Sequence, residues 1–186
     1  KVLGKADLLI KMGRYNEALE WLNKAVQINT DDSEIYICFG YVYKNMGNYD
    51  QALKWLDKGL EIYPYESGLY AELAAVYNTI GQVEESLKWL KQGLEINPND
   101  SELYFGLGQD YWGMGKDAAA EKWLKKGMKI NSSDSEIYRT LSRVYRSAGK
   151  YAAAVKYAKK VIEMKNEGGY DELGRVYAQM GKEEEA

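Results

Sequence analysis

The chain contains no histidine, and Cys38 is the sole cysteine among its 186 residues. Without imidazole, the side chain that most often serves as general base or metal ligand near neutral pH is missing. One thiol cannot close an internal disulfide, and with no histidine beside it a Cys–His nucleophile is excluded. Phosphate-cradling glycine loops are also absent. No catalytic residue, cofactor or metal is therefore expected. Proline occurs only twice, so helices are permitted almost everywhere. No apolar run approaches the ~20 residues that a membrane span requires. Phenylalanine occurs twice against 17 tyrosines and five tryptophans, so something fixes aromatic identity at particular places. The net charge of −3 argues against general nucleic-acid binding, which favours strongly basic chains. The chain opens Lys1-Val2-Leu3, with neither Met nor a signal-peptide layout, and reads as a segment of a longer protein. The lone thiol fits a reducing compartment, and a cytoplasmic setting is expected.

What the sequence does contain is a period. Trp21, Trp55, Trp89 and Trp123 are each 34 residues apart and each precedes a leucine. Gly13, Gly47, Gly81, Gly115 and Gly149 keep the same spacing. So do Tyr36, Tyr70, Tyr104 and Tyr138, and Tyr43, Tyr77, Tyr111 and Tyr145. Each period reads as two helices. In the second, Tyr36, Phe39, Gly40 and Tyr43 share one face at i, i+3, i+4 and i+7. Gly47 ends that helix A, and Ala52, Leu53, Leu56 and Leu60 then mark the inward face of helix B. Pro64 stops helix B. Openings such as Asp32-Ser33-Glu34 and Asp100-Ser101-Glu102 place capping oxygens where the free amides of the next helix point. The tryptophan column is expected to be half-buried between neighbouring B helices. Glu183-Glu184-Glu185 reads as solvated charge.

With these columns the sequence resembles the tetratricopeptide-repeat family, whose pattern has an aromatic, Leu-Gly, Tyr, then Ala, Leu or an aromatic, Ala and Pro. The fourth repeat shows Tyr104, Leu107, Gly108, Tyr111, Ala120 and Leu124, with Gly127 replacing the last alanine. The resemblance implies an all-α fold, a right-handed solenoid of stacked antiparallel helix pairs. Residues 1–186 are expected to form a single array, with repeats at about 1–32, 33–66, 67–100, 101–134, 135–166 and 167–186. The fifth is two residues short near Asn166. The sixth is incomplete, with helix A and only the beginning of helix B.

The resemblance also implies a peptide-binding groove lined by the A helices, at about one, five and eight places after the first tyrosine. Those positions hold Ile37, Tyr41 and Lys44, then Ala71, Ala75 and Asn78. The fourth repeat offers Phe105, Gln109 and Trp112, the fifth Arg139, Arg143 and Arg146, and the sixth Asp171, Arg175 and Ala178. Phe105 and Trp112 are large apolar groups, and aromatics are enriched where interfaces concentrate their energy. Four of the chain's five arginines are Arg139, Arg143, Arg146 and Arg175. The repeats carry formal charges of 0, −2, −3, 0, +6 and −4, so the fifth is a basic island. The arginines either await a carboxylate or phosphate, or pair internally with Glu136, Asp171 and Glu172. The carboxylate clamp of some co-chaperone repeat domains is absent, since Phe105, Gln109 and Thr140, or Arg139, Arg143 and Glu172, occupy its places.

The expected function is that of an adaptor binding a protein or peptide segment, part apolar and part acidic, with no role for nucleic acid or membrane. An accessory domain of a larger enzyme and an engineered repeat protein are the alternatives. Leu173, Tyr177 and Met180 form an apolar stripe without a complete following helix, and that face is expected to meet a neighbouring chain by self-association, a swapped helix, or further residues of a longer protein.

Overall fold

The computed structural model describes residues 2–28 and 31–184, with side chains through residue 181. Among these residues lie eleven helices and no strand. They are α1 (Val2–Lys11), α2 (Tyr15–Ile28), α3 (Ser33–Asn45), α4 (Tyr49–Ile62), α5 (Ser67–Thr79), α6 (Val83–Ile96), α7 (Ser101–Gly113), α8 (Asp117–Ile130), α9 (Ser135–Ser147), α10 (Tyr151–Glu163) and α11 (Gly168–Glu184). Two compact units result: Lys1–Pro98 holds α1 to α6, and Asn99–Ala186 holds α7 to α11. In the first, α1–α2, α3–α4 and α5–α6 pack as hairpins. In the second, α7–α8 and α9–α10 do so, and α11 packs on α10 and α9. Odd-numbered helices, the A helices, also touch the next A helix within each unit.

The periodic glycines close the A helices. Gly13, Gly47, Gly81, Gly115 and Gly149 all have φ between +69° and +82°, a region that costs a residue with a Cβ. The following amide then reaches back to a free carbonyl, as from Asn48 to Tyr43 and from Lys116 to Tyr111, both at 2.9 Å. Acidic side chains cap the starts of A helices: Asp32, Asp100 and Asp134 accept from the amides of Glu34, Glu102 and Glu136 at 3.1, 3.0 and 2.9 Å. Proline is not needed to stop a B helix. α8 ends at Ile130, at the same place in its repeat as α4 and α6, with Asn131 where they are followed by Tyr63-Pro64 and Asn97-Pro98. There the Asn131 side chain accepts from the Ser133 amide at 3.1 Å and turns the chain.

Helices cross closely where the sequence places small residues. Ala18, Ala52, Ala120 and Ala154 are fully buried. A Cβ at Gly40 would lie 2.6 Å from Leu56 Cδ2, and one at Gly108 would lie 2.5 Å from Leu124 Cδ2. Tyrosine identity also has a cause, for the Tyr70 and Tyr138 hydroxyls donate to the carbonyls of Pro64 and Ser132 at 2.8 and 3.1 Å. Phenylalanine would leave those loop carbonyls without this donor.

Two expectations need correction. The tryptophans are half-buried, but they pack within their own hairpins rather than between B helices. Trp55 stacks on Phe39 at 3.9 Å between centroids and lies 6.2 Å from Tyr36; Trp89 meets Tyr70 and Tyr77, and Trp123 meets Tyr104. Helix spacing reports the face a residue occupies, not which of two adjoining helices receives it. The last repeat also does not begin a second helix among the described residues. α11 runs unbroken through Gly181, since a glycine lowers helix propensity without by itself ending a helix. The side chains of Glu183 and Glu184 and all of Glu185 lie outside the described residues.

Candidate peptide-binding faces

In the first unit the predicted residues lie on α3 and α5. Tyr41 is exposed and Ala75 half-buried, whereas Ala71 is buried and Ile37 packs over Gly68. Lys44 lies 5.1 Å from the Tyr41 ring centroid. Its ammonium also pairs with Glu72 of α5 at 2.7 Å, with both side chains largely buried. This face therefore offers an aromatic edge, a small apolar patch and a cation already neutralised by its neighbour. Asn78 is exposed at the end of α5.

In the second unit α7 contributes Phe105, Gln109 and Trp112. Phe105 and Trp112 are half-buried and lean on the unit's core; Gln109 is exposed. Trp112 donates through Nε1 to Ser147 Oγ of α9 at 3.3 Å, which fixes the indole against that helix. α9 contributes the arginines. Arg139 pairs with Glu136 on its own helix. Arg143 and Arg146 both donate through Nε to Glu172 of α11, at 3.2 and 3.0 Å, and Arg146 Nη1 donates to Gln179 at 3.2 Å. Arg175 pairs with Asp171 at 3.0 Å in full exposure, where such a pair contributes little. Thus all four arginines have internal partners.

The key group is Glu172, whose side chain is 1% exposed. A buried carboxylate must be paired and hydrogen-bonded to be tolerated, and two guanidinium groups meet that need here. The pairing has a counterpart in the first unit. Lys44 and Arg146 lie 102 residues apart, three full periods, and each joins its helix to a glutamate of the next A helix. Arg146 is then a structural staple. Arg143 differs: Nε is held by Glu172, its terminal nitrogens make no hydrogen bond among the described residues, and its side chain is 32% exposed. The carboxylate thereby holds the guanidinium through Nε and leaves its terminal nitrogens as donors without a partner among the described residues.

Cys38 offers no alternative chemistry. Its thiol is buried on α3 with Sγ 3.8 Å from Glu34 Oε1. Burial, and then the negative field of Glu34 and Asp7, pushes its pKa from 9.0 up to about 12. The reactive thiolate is thus suppressed. A folded-state pKa above the unfolded value contributes stability that is fully present below pH 9.0 and lost as pH rises to about 12. Burial of the Tyr36 and Tyr70 hydroxyls acts in the same direction. Urea midpoints should therefore fall across that window, and Cys38→Ala should make the fall shallower. An unchanged slope in the variant would contradict the assigned thiol environment.

Among the described residues no three acidic or thiol side chains gather as a metal site. No described helix is long and apolar enough to cross a membrane.

Comparison with known families fits the helical hairpins. A model described as TPR repeat matches residues 6–47, and three described as tetratricopeptide repeat match residues 45–107, 101–134 and 136–167. The chain is a tetratricopeptide-repeat protein. Among solved structures, a thermophilic TPR protein of Thermus thermophilus is similar with a TM-score of 0.84 and 24% identity, covering 96% of this chain and 97% of that one. PilF of Pseudomonas aeruginosa is similar at a TM-score of 0.75 and 14% identity, covering 97% and 89%. The Cut9–Hcn1 hetero-tetramer of the APC/C gives 0.78 and 17%, covering 94% of this chain and 35% of that one. No curated protein sequence matches. At these identities the solved structures bear on fold alone. Within the repeat family, sequence reasoning had named Arg143 and Glu172, but not the equivalence of Lys44 and Arg146. The three-period offset between them is the signal that could have revealed it.

Proposed function

We propose that this tetratricopeptide-repeat protein is an adaptor whose A-helix face in the second unit binds a polypeptide segment, apolar at one end and acidic at the other. The observation that carries this reading is the pairing of Phe105 and Trp112 on α7 with the outward edge of Arg143 on α9. The apolar part of the segment would lie against the two aromatic rings, which supply most of the affinity. Its carboxylate would meet the free terminal nitrogens of Arg143 and fix direction and register. Arg139 and Arg175 add positive field to that face, although each already has a carboxylate neighbour. The first unit presents Tyr41 and Ala75 as a separate, smaller apolar contact. A neighbour solved as a Cut9–Hcn1 hetero-tetramer supports a role in protein assembly for this kind of fold.

The reading is tested by titrating a labelled synthetic peptide of leucines followed by glutamates. Trp112→Ala should weaken binding by roughly 1–2 kcal/mol at low and high salt alike, as for loss of an interface aromatic. Arg143→Ala should weaken it mainly at low salt and flatten the salt dependence. Both variants should keep the parent's helicity. Equal affinity of both variants and parent would sink the proposal.

A further inference from the structure

Residues 116–165 carry a net charge of +8, and the rest of the chain carries −11. Arginine on α9 accounts for part of that island. Lysine on the opposite, B-helix side accounts for more. Lys122, Lys126 and Lys129 stand on one side of α8 at i, i+4 and i+7, and Lys156, Lys159 and Lys160 on one side of α10 at i, i+3 and i+4; all six are exposed. Of these only Lys160 has an ion-pair partner among the described residues, Glu163 at 2.9 Å. The nearby Glu121 does not neutralise the row, because it is engaged by Lys125 at 2.6 Å.

Between α8 and α10 lies a cleft of about 350 Å³. Met128, Tyr138 and Tyr157 form its apolar part, and Lys156, Lys160 and Glu163 border it. Tyr138 spends its hydroxyl on the Ser132 carbonyl, so it presents a ring rather than a free polar group. Its plane is tilted 45° from that of Tyr157, with centroids 6.2 Å apart.

We propose that this B-helix face docks a second acidic polypeptide segment, with one apolar side chain seated in the cleft and its carboxylates along the two lysine rows. Rows of like charge repel one another on the free protein, and an anionic partner relieves that repulsion as well as adding attraction. Three features favour an acidic peptide over other polyanions. α8 spans only about 20 Å, so a nucleic-acid duplex or a bilayer could meet its lysines over no more than a short stretch. The tilted tyrosines do not form the parallel platform on which successive bases stack. The cleft is of a size to take a side chain.

The test uses the full chain and a labelled peptide of alternating glutamate and leucine. Lys126→Glu, Lys156→Glu and Lys160→Glu combined should weaken binding at least ~10-fold, as expected for several charge reversals at one face. Glutamine at the same three positions should give a smaller loss of the same sign, and it decides the matter should the reversed variant lose helicity. Met128→Ala should weaken binding several-fold with an unchanged salt slope. Repeated in an Arg143→Ala background, in which the A-helix face is weakened, the same lysine changes should give the same fold-losses, which separates this face from the A-helix face. Equal affinity of the glutamine variant and the parent would overturn the proposal. So would tighter binding of a uridine oligonucleotide or of phosphatidylserine vesicles than of the peptide.

Discussion

Gly108→Val should destabilise the second unit by about 1–3 kcal/mol, the usual cost of forcing extra carbon into a filled core. Even a methyl at Gly108 would overlap Leu124, whose Cδ2 lies 2.5 Å from the Cβ position. Leu124 is fully buried, so it cannot swing out into solvent without losing its core contacts. The cost would appear as a lower urea midpoint with an unchanged denaturant slope. Combining Gly108→Ala with Leu124→Ala should cost less than the sum of the single changes, because the second removes the atoms that the first meets. Gly174 occupies the same column one repeat beyond Ser142, yet a Cβ there meets nothing within 4 Å. Gly174→Ala should therefore raise stability by ~0.5–1 kcal/mol, since alanine restricts the unfolded chain and favours helix. Opposite signs at two equivalent glycines would follow because, among the described residues, no side chain packs against α11 at Gly174 as Leu124 does against Gly108. A loss at Gly174 comparable to that at Gly108 would contradict this packing.

Glu172→Ala should release α11. The glutamate is the ionic link from α11 to α9, joined by Val176 in the core and by Gly169, which sits tight against Ile162. Hydrogen bonds to charged groups contribute about 1.5–3 kcal/mol, and the partly exposed arginines would recover some hydration once freed. A net loss of about 1–3 kcal/mol is expected. Amide exchange in Gly168–Glu184 should accelerate while α7 and α8 remain protected. Salt should change the effect little, because the carboxylate is buried and poorly screened. Unaltered exchange across α11 would show that its apolar contacts alone hold it. The same substitution would leave Arg143 without its orienting acid, so peptide binding should weaken even though Glu172 itself touches no ligand.

The architecture was legible because one pattern recurs at every level. Glycines at 34-residue spacing are the residues that the left-handed turns require, and the acidic residues before α3, α5, α7 and α9 are their caps. The receiving helix was harder to read. Trp55 lies on the inner side of α4 by spacing alone, but its stack on Phe39 depends on how the α3–α4 hairpin closes. The arginines were undecided in the sequence for a physical reason. Their i, i+4, i+7 spacing gives a charged face, whereas their partners turn on whether a glutamate in the next helix is buried. Glu172 follows Cys38, Glu72, Gly106 and Thr140 in its column, a place near the helix crossing, and only packing shows that its carboxylate is enclosed. The lysines of α8 and α10 are scattered in sequence, where they show only as part of the basic fifth repeat and its neighbour. Lys156 and Lys160 meet Met128, Tyr138 and Tyr157 only when the cleft is formed.

The central claim is that a ligand rests on the A helices of the second unit. The most direct measurement is amide hydrogen exchange of the full chain with and without the leucine–glutamate peptide. Protection should rise in the last two turns of α7, around Trp112, and along α9 from Arg139 to Arg146, and Trp112→Ala should abolish it. Protection confined to other segments, or unchanged by Trp112→Ala, would contradict the account.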